Sequence, residues 1–151
     1  MSYYYDMKIK ILFLALIFVS YSNASEVRFD TTGRADISGL TFKDKSKYRL
    51  YKSNGHWKSS SGDYGLHECF GTLKNDKNNK AQFEVYCKNI SQENEYFIIK
   101  IYRDTEYQKA GLGKATIVEV SDGYNHLLNA TCDHAITYIE LDYFAIQKCK
   151  L

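Results

Sequence analysis

Apolar and polar side chains alternate in short runs along the chain after residue 25, and the runs are rich in Val, Ile, Tyr and Phe. A period of two puts successive side chains on opposite faces of a β-strand, so each run predicts a strand with one buried face. β-branched and aromatic residues favour such half-buried strands. Eight runs fit the pattern: 26–30, 46–52, 66–73, 81–88, 96–103, 114–120, 129–138 and 143–150.

Clusters of Gly, Asn, Asp and Ser separate the runs and predict turns or loops at 53–55, 61–63, 75–79, 89–94, 111–113 and 121–123. No stretch of this part keeps an apolar stripe at helical spacing for three turns, and the chain contains no proline. About eight short strands with regular turn signals predict an all-β domain. We expect an antiparallel β-barrel of about eight strands, with a β-sandwich as the alternative.

The first two cysteines test this strand pattern. Cys69 and Cys87 flank the Asn-rich loop at 75–79, and a hairpin centred near Asn78 places them opposite each other. Directly opposed Cα atoms of an antiparallel pair lie about 4.5–5.5 Å apart, within reach of a disulfide. The spacing therefore predicts a Cys69–Cys87 bridge on the inner face of a hairpin.

The other two cysteines, Cys132 and Cys149, fall opposite each other around a tight turn at Glu140 and Leu141. Four cysteines allow three connectivities, and we favour Cys69–Cys87 together with Cys132–Cys149. The alternative is a zinc site, but its ligands typically come in pairs separated by two to four residues, and no cysteines here are so close. We therefore predict two disulfides and no metal ligands.

The N-terminus has the organisation of a secretory signal peptide. Lys8 and Lys10 precede an uncharged apolar run at 11–19, and small side chains at Ser22 and Ala24 match a cleavage site before Ser25. The run is shorter than the roughly 20 residues needed to span a bilayer, so we predict no permanent membrane span. Residues 1–24 are thus predicted to be a signal peptide and 25–151 a single domain that is secreted or periplasmic, where disulfides persist.

Charge excludes one class of partner. Residues 25–151 contain 18 basic and 17 acidic side chains, so the predicted mature chain is close to neutral. Nucleic-acid binding usually needs a clustered excess of Lys and Arg. The densest basic stretch, at 43–52, is interrupted by other residues and is typical of a solvated strand face. We predict no nucleic-acid partner.

The segment 57–71 is the most distinctive in the chain, because it combines the single tryptophan with a histidine, carboxylates and several glycines. In a functional interpretation it is a loop at a barrel mouth, with Asp63 and His67 as an acid/base pair and Trp57 and Tyr64 as a stacking wall. These four residues are our candidate ligand-binding residues. In a structural interpretation, which we favour, the segment around Asp63 is a turn that needs positive φ and Trp57 plugs one end of the core.

Two histidines share a face with the cysteines. His67 and His134 each lie two residues from a predicted bridge, so the strand period places both on the inner face. A pair of histidines would need a carboxylate to complete a metal site, and the spacing does not identify one. A histidine on an apolar face is usually a hydrogen-bonded core residue. We assign no catalytic residue and predict no cofactor.

Several turn signatures are similar to those of a known group of proteins. They are Gly62-Asp63-Tyr64-Gly65-x₃-Cys69-x-Gly71, Gly111-x-Gly113 and Ser121-Asp122-Gly123-Tyr124-x₅-Ala130. This set resembles small exported bacterial proteins of unknown function with a barrel of the allene-oxide-cyclase-like or lipocalin-like kind. The resemblance covers 57–149, and Asp122, His126 and Asn129 depart from its pattern. It implies a barrel and specifies neither a reaction nor a functional residue.

Three classes of function fit these observations. The first is a non-enzymatic binding module for a small apolar ligand or a protein partner, since a small barrel can hold a ligand or present its rim. The second is an enzyme of the cyclase or isomerase type that uses His67, Glu68 or Asp63 as acid or base. The third is a secreted inhibitor or envelope protein that acts through an exposed loop. We favour the binding module.

Overall fold

Eight antiparallel strands form a closed barrel in the computed structural model, which describes residues 25–104 and 110–151. The strands are β1 (Glu26–Thr41), β2 (Lys47–Ser59), β3 (Tyr64–Asn75), β4 (Ala81–Ser91), β5 (Tyr96–Asp104), β6 (Ala110–Val120), β7 (Thr131–Ile139) and β8 (Asp142–Lys150). Each strand pairs with the next along the chain, and β8 pairs with β1. The predicted barrel is confirmed, and the sandwich alternative is excluded.

The period of two in the sequence produces the inner and outer faces of the barrel. On β4, for example, Phe83, Val85 and Cys87 are buried while Gln82 and Tyr86 point to solvent. The same alternation on the other strands fills the interior with apolar side chains. Burial of this apolar area is the main favourable contribution to folding.

Both predicted disulfides are confirmed, and so is the strand register from which they were inferred. Cys69 lies opposite Cys87 with 4.0 Å between the Cα atoms, and Cys132 lies opposite Cys149 with 3.9 Å. The turn between β7 and β8 is tight although it lacks glycine and asparagine, because Glu140 itself adopts the left-handed conformation with φ of 57°. Two disulfides are consistent with an oxidising environment, either extracellular or periplasmic.

The turn predicted at 53–55 is wrong. These residues lie in the middle of β2, where Ser53 points inward and Gly55 pairs with both Gly33 and His67. The segment has the residue types of a turn because its inward-facing positions accommodate only small residues. A Cβ atom on Gly55 would lie 2.9 Å from Nε2 of His67, and one on Gly33 would lie 2.7 Å from the Tyr143 hydroxyl. The nearest atoms are backbone oxygens, that of Thr32 at 2.0 Å from Gly55 and that of Asn54 at 2.4 Å from Gly33, so the glycines also allow β1 and β2 to approach closely.

The break predicted at 111–113 is also wrong, because these residues belong to β6. Here the two glycines make room for Arg103: a Cβ atom on Gly111 would lie 2.8 Å from its Cζ, and one on Gly113 would lie 3.1 Å from its Cγ. The first strand is longer than predicted, since β1 continues past Asp30 to Thr41 with Ala35 buried and Arg34 exposed. Polar residues and glycines mask the alternation in that half of the strand.

One end of the barrel, which we call the tryptophan end, is closed. A 3₁₀ helix, Asp122–Leu127, follows β6 and places Tyr124 and Leu127 across the opening. The carboxylate of Glu95 holds the start of this helix, because it accepts hydrogen bonds from the Ser121 hydroxyl and from the backbone N–H of Gly123, the latter at 3.1 Å. The cluster at 121–123 therefore caps the barrel and does more than separate two strands.

The N-terminal segment bears on the predicted export. Residues 1–24, where the signal peptide is predicted, lie outside the part of the chain that the structure describes. Within the described ranges, 25–104 and 110–151, no helix has the length and apolar character that crossing a bilayer requires.

Candidate functional site

The end of the barrel opposite the tryptophan end contains a cavity of about 250 Å³, which we call the mouth cavity. Its walls are apolar at Ala35, Ile37, Leu73 and Phe83. Three long polar side chains also line it, those of Tyr51, Arg103 and Tyr138. Glu140 and Leu141, in the turn between β7 and β8, form its rim. The backbone N–H of Ala35 donates to the carbonyl of Leu141 at 2.8 Å, which holds this turn against β1.

Arg103 places a positive charge in the wall of the mouth cavity. The residue is only 7% exposed, and its guanidinium lies 5.7 Å from the centre of the Phe83 ring. Burial lowers the pKa of Arg103 from its ordinary value, but an arginine remains charged at neutral pH. A side chain of this size fits inside the barrel because Gly111 and Gly113 leave space beside it on β6.

Two tyrosines bring phenolic hydroxyls to the same cavity. Burial raises the pKa of Tyr51 and of Tyr138 above the ordinary value for tyrosine, so both hydroxyls are neutral at physiological pH. A neutral phenol can donate a hydrogen bond as well as accept one. The two hydroxyls are hydrogen-bonded to each other, so the mouth cavity combines an apolar wall with one cation and a linked pair of phenols.

A set of polar side chains continues from the cavity into the barrel. The Tyr143 hydroxyl donates to the Ser53 hydroxyl at 3.3 Å and is also hydrogen-bonded to Nε2 of His67. The rings of His67 and Tyr143 are nearly parallel, with centroids 5.9 Å apart. Burial lowers the pKa of His67 to about 4, so this histidine is neutral at pH 7. The interior is therefore polar but uncharged at this level.

The centre of the barrel has little free space. A cavity of about 30 Å³ lies there, which is enough for about one water molecule. His134 lines it and is hydrogen-bonded through Nδ1 to the amide of Gln147 at 3.2 Å, while its Nε2 has no hydrogen-bond partner among the described residues. Burial lowers the pKa of His134 to about 4. A ligand larger than water would have to displace core side chains to occupy this position.

Gly55 allows a test of the close packing between β1, β2 and the inner side chain of His67. We expect Gly55→Ala to lower the free energy of unfolding by about 1–3 kcal/mol, the usual cost of overpacking a core. The added Cβ would lie 2.0 Å from the carbonyl oxygen of Thr32 and 2.9 Å from Nε2 of His67. Urea denaturation measures the change. Gly62→Ala is a useful comparison, because no atom lies within 4 Å of its Cβ position and only its φ of 104° is unfavourable.

The four candidate residues from the sequence do not form one site. Trp57 is buried at the tryptophan end, where it packs against Phe97 with ring centroids 5.2 Å apart. Asp63 lies in the turn before β3 and its carboxylate accepts from the Ser61 hydroxyl at 3.3 Å, while Tyr64 is exposed. His67 lies inside the barrel and bonds Tyr143 instead of Asp63. Glu68, the other candidate acid, points outward on β3.

Sequence reasoning missed the residues of the mouth cavity. Arg103 ends a predicted strand, where a terminal arginine is normally expected to reach solvent. Arg103 is separated by an even number of residues from the buried Phe97, Ile99 and Ile101, so the alternation along β5 predicts that it also faces inward. Tyr51 could have been placed in the same way from the alternation on β2.

Comparisons with protein-family models, with curated proteins and with solved structures give no match to this chain. The chemistry of the site must therefore be inferred from its own residues. Across the described ranges, no group of three or more His, Cys, Asp or Glu side chains is arranged to hold a metal ion.

Proposed function

We propose that this protein is a non-enzymatic binding module that holds a small amphipathic anion, such as an aliphatic or aromatic carboxylate, in the mouth cavity. The observation that carries the proposal is the buried guanidinium of Arg103 in the wall of a cavity whose described lining is largely apolar. Ligand pockets are typically apolar with a few polar groups that fix the orientation of the ligand. An anionic headgroup against Arg103 and an apolar body against Ile37, Leu73 and Phe83 match this distribution.

The size of the cavity limits the ligand. Its volume of about 250 Å³ is close to the lower end of the range for ligand pockets, which starts near about 300 Å³. The filled centre of the barrel blocks a longer ligand from extending inward. We therefore expect short carboxylates to bind better than long-chain fatty acids.

The charged residues at the rim and in the wall favour one orientation of the ligand in the mouth cavity. Glu140 is exposed at the edge of the cavity, while Arg103 is buried in its wall, so the carboxylate lies at the entrance and the cation inside. One hydroxyl of the hydrogen-bonded pair Tyr51 and Tyr138 can donate to the same anionic group. The headgroup is expected to enter first.

We also propose that the protein acts outside the cytoplasm after removal of residues 1–24. The apolar run at 11–19 and the small residues before Ser25 support export, and both disulfides fit an oxidising compartment. A binding module in this location would meet carboxylates from the surroundings of the cell. N-terminal sequencing of the protein from culture medium or periplasm tests the cleavage site.

Calorimetric titration with octanoate, octanol and octylammonium tests the ligand class. We expect octanoate to bind more tightly than the other two, since only its headgroup complements Arg103. Arg103→Met should weaken octanoate binding by about tenfold or more, because hydrogen bonds to charged groups contribute about 1.5–3 kcal/mol. Octanol binding should change little.

Arg49→Met is the matched control for loss of an arginine at this end of the barrel. Arg49 donates to the Oδ1 atom of Asn75 at 2.5 Å and does not line the cavity. Gly111→Ala is a second probe, because its methyl group would displace the Arg103 guanidinium without removing the charge. Equal affinity of octanoate for the wild type, Arg103→Met and Gly111→Ala would contradict the proposal.

A further inference from the structure

A second feature of the barrel is the outer face of β2–β5, which we call the aromatic–lysine face. The even-numbered side chains of these strands point outward. Six of them are aromatic: Tyr48, Tyr64, Phe70, Tyr86, Tyr96 and Tyr102. On the outer face of the other four strands, the described side chains include only one aromatic ring, that of Phe144. The rings are therefore concentrated on one half of the barrel.

The charges are distributed in the same way. Among the described outward side chains of β2–β5, five are lysines, at Lys52, Lys58, Lys74, Lys88 and Lys100, and two are glutamates, at Glu68 and Glu84. The described outward side chains of the remaining strands include five basic and six acidic residues. The aromatic–lysine face is thus positive, although residues 25–151 as a whole are close to neutral. Such a local potential attracts anionic partners.

A row of four side chains crosses the centre of this face. In the strand register Lys52 lies opposite Phe70, Phe70 opposite Tyr86, and Tyr86 opposite Lys100. The Lys52 ammonium lies 5.3 Å from the Phe70 ring centre, and that of Lys100 lies 5.4 Å from the Tyr86 ring centre. Two adjacent rings are therefore flanked by two cations.

A depression of about 480 Å³ lies on the same face. It crosses β2, β3 and β4, and its lining includes His56, Leu66, Lys88 and Ile90. Lys88 extends from it over the ring of Tyr96, with 4.6 Å between the ammonium and the ring centre. The surface thus offers a groove beside the row of rings, lined by one lysine, Lys88, and one carboxylate, that of Glu68.

We propose that the aromatic–lysine face binds a linear polysaccharide that carries carboxylate groups. The faces of the aromatic rings are electronegative and favour contact with the weakly positive C–H bonds of sugar rings. The lysines complement carboxylates at intervals along such a chain. This inference depends on the outward side chains alone and is independent of the ligand of the mouth cavity.

The spacing of charge favours this partner over a nucleic acid. Glu84 accepts from the Lys100 ammonium at 3.0 Å, and Glu68 lies 3.9 Å from that of Lys52. Two carboxylates within the face would repel a polymer that carries a phosphate at every residue. A polysaccharide with a carboxylate on some of its sugars carries fewer charges than a nucleic acid of the same length. It also offers more apolar sugar surface for contact with the aromatic rings.

Affinity electrophoresis in gels containing hyaluronate, in which every second sugar carries a carboxylate, tests the proposal, with dextran and single-stranded DNA as comparison probes. We expect hyaluronate to retard the oxidised wild-type protein, and added salt to reduce the retardation because screening weakens exposed charges. Dextran should have a smaller effect. Stronger binding to the DNA, or no retardation by hyaluronate, would overturn the proposal.

Paired variants localise the binding. Phe70 is 51% exposed and Phe144 on the opposite side is 54% exposed, so Phe70→Ser and Phe144→Ser remove similar rings. We expect Phe70→Ser to weaken hyaluronate binding at least fivefold and Phe144→Ser to leave it unchanged. Lys52→Ser/Lys100→Ser and Lys148→Ser/Lys150→Ser form a second pair, with loss expected only in the first. Equal losses within either pair would contradict the assignment to this face.

Discussion

Simultaneous replacement of Cys132 and Cys149 by alanine is expected to lower the free energy of unfolding by about 3 kcal/mol. The bridge closes a loop with a sequence separation of 17 residues, and a loop of this length restricts the unfolded chain by roughly that amount in the chain-entropy model. Both cysteines are buried, so the variant also loses packing around the sulfur atoms. Since small domains are stable by only about 5–15 kcal/mol, this is a large effect.

The Cys69→Ala/Cys87→Ala variant should lose a similar amount, because its loop has a separation of 18 residues. Urea denaturation of both variants and of the oxidised and reduced wild type measures these changes. Reduction of the wild type should destabilise it more than either double replacement does. A loss below about 1 kcal/mol in both variants would contradict the structural role of the bridges.

The second large effect is a loss of stability in mild acid. The pKa of His67 and that of His134 are each lowered to about 4 by burial, whereas histidine in an unfolded chain titrates near 6.5. Between these values the unfolded chain binds protons that the folded barrel does not, so stability falls as the pH falls from about 6.5 to about 4. Above pH 6.5 these histidines are neutral in both the folded and the unfolded chain, so their contribution to the free energy of unfolding no longer changes with pH.

The size of the acid effect follows from the pKa difference. A shift of this extent corresponds to about 3 kcal/mol for each histidine at the lower end of the window. Electrostatic interaction with His56 further lowers the pKa of His67, and that with Arg103 further lowers the pKa of His134. Carboxylates with lowered pKa values, such as those of Glu95 and Asp133, contribute at lower pH.

Urea denaturation at a series of pH values between 7.5 and 4.5 measures this effect. His67→Gln and His134→Gln should each make the decline less steep, while His126→Gln, at an exposed position, should leave it unchanged. A stability that stays constant from pH 6.5 to pH 5 in the wild type would show that these histidines are not held neutral by the fold.

The barrel and its bridges could be predicted from the sequence because both depend on local spacing. Alternation along a strand decides which side chains face inward, and antiparallel pairing relates Cys69 to Cys87 through the length of one hairpin. The closure of β8 onto β1 depends on pairing between the two ends of the described chain, for which the sequence has no local signal.

The mouth cavity could not be predicted because its key residues have the composition of turns and surfaces. Gly55 and Gly111 resemble turn residues, but each leaves space for a side chain on another strand, His67 and Arg103 respectively. That role depends on which residue lies across the barrel, a relation set by the closed fold. The candidate residues Trp57 and Tyr64 belong to the most distinctive segment of the sequence but lie elsewhere, Trp57 buried at the tryptophan end and Tyr64 exposed.

Titration of the oxidised, isotope-labelled protein with octanoate, followed by two-dimensional NMR, tests the central proposal most directly. The proposal predicts concentrated shift changes at Ile37, Tyr51, Arg103 and Tyr138, which line the mouth cavity, and little change at Trp57. Shift changes centred on the tryptophan end or on the outer face of the barrel, or no changes at saturating octanoate, would contradict it.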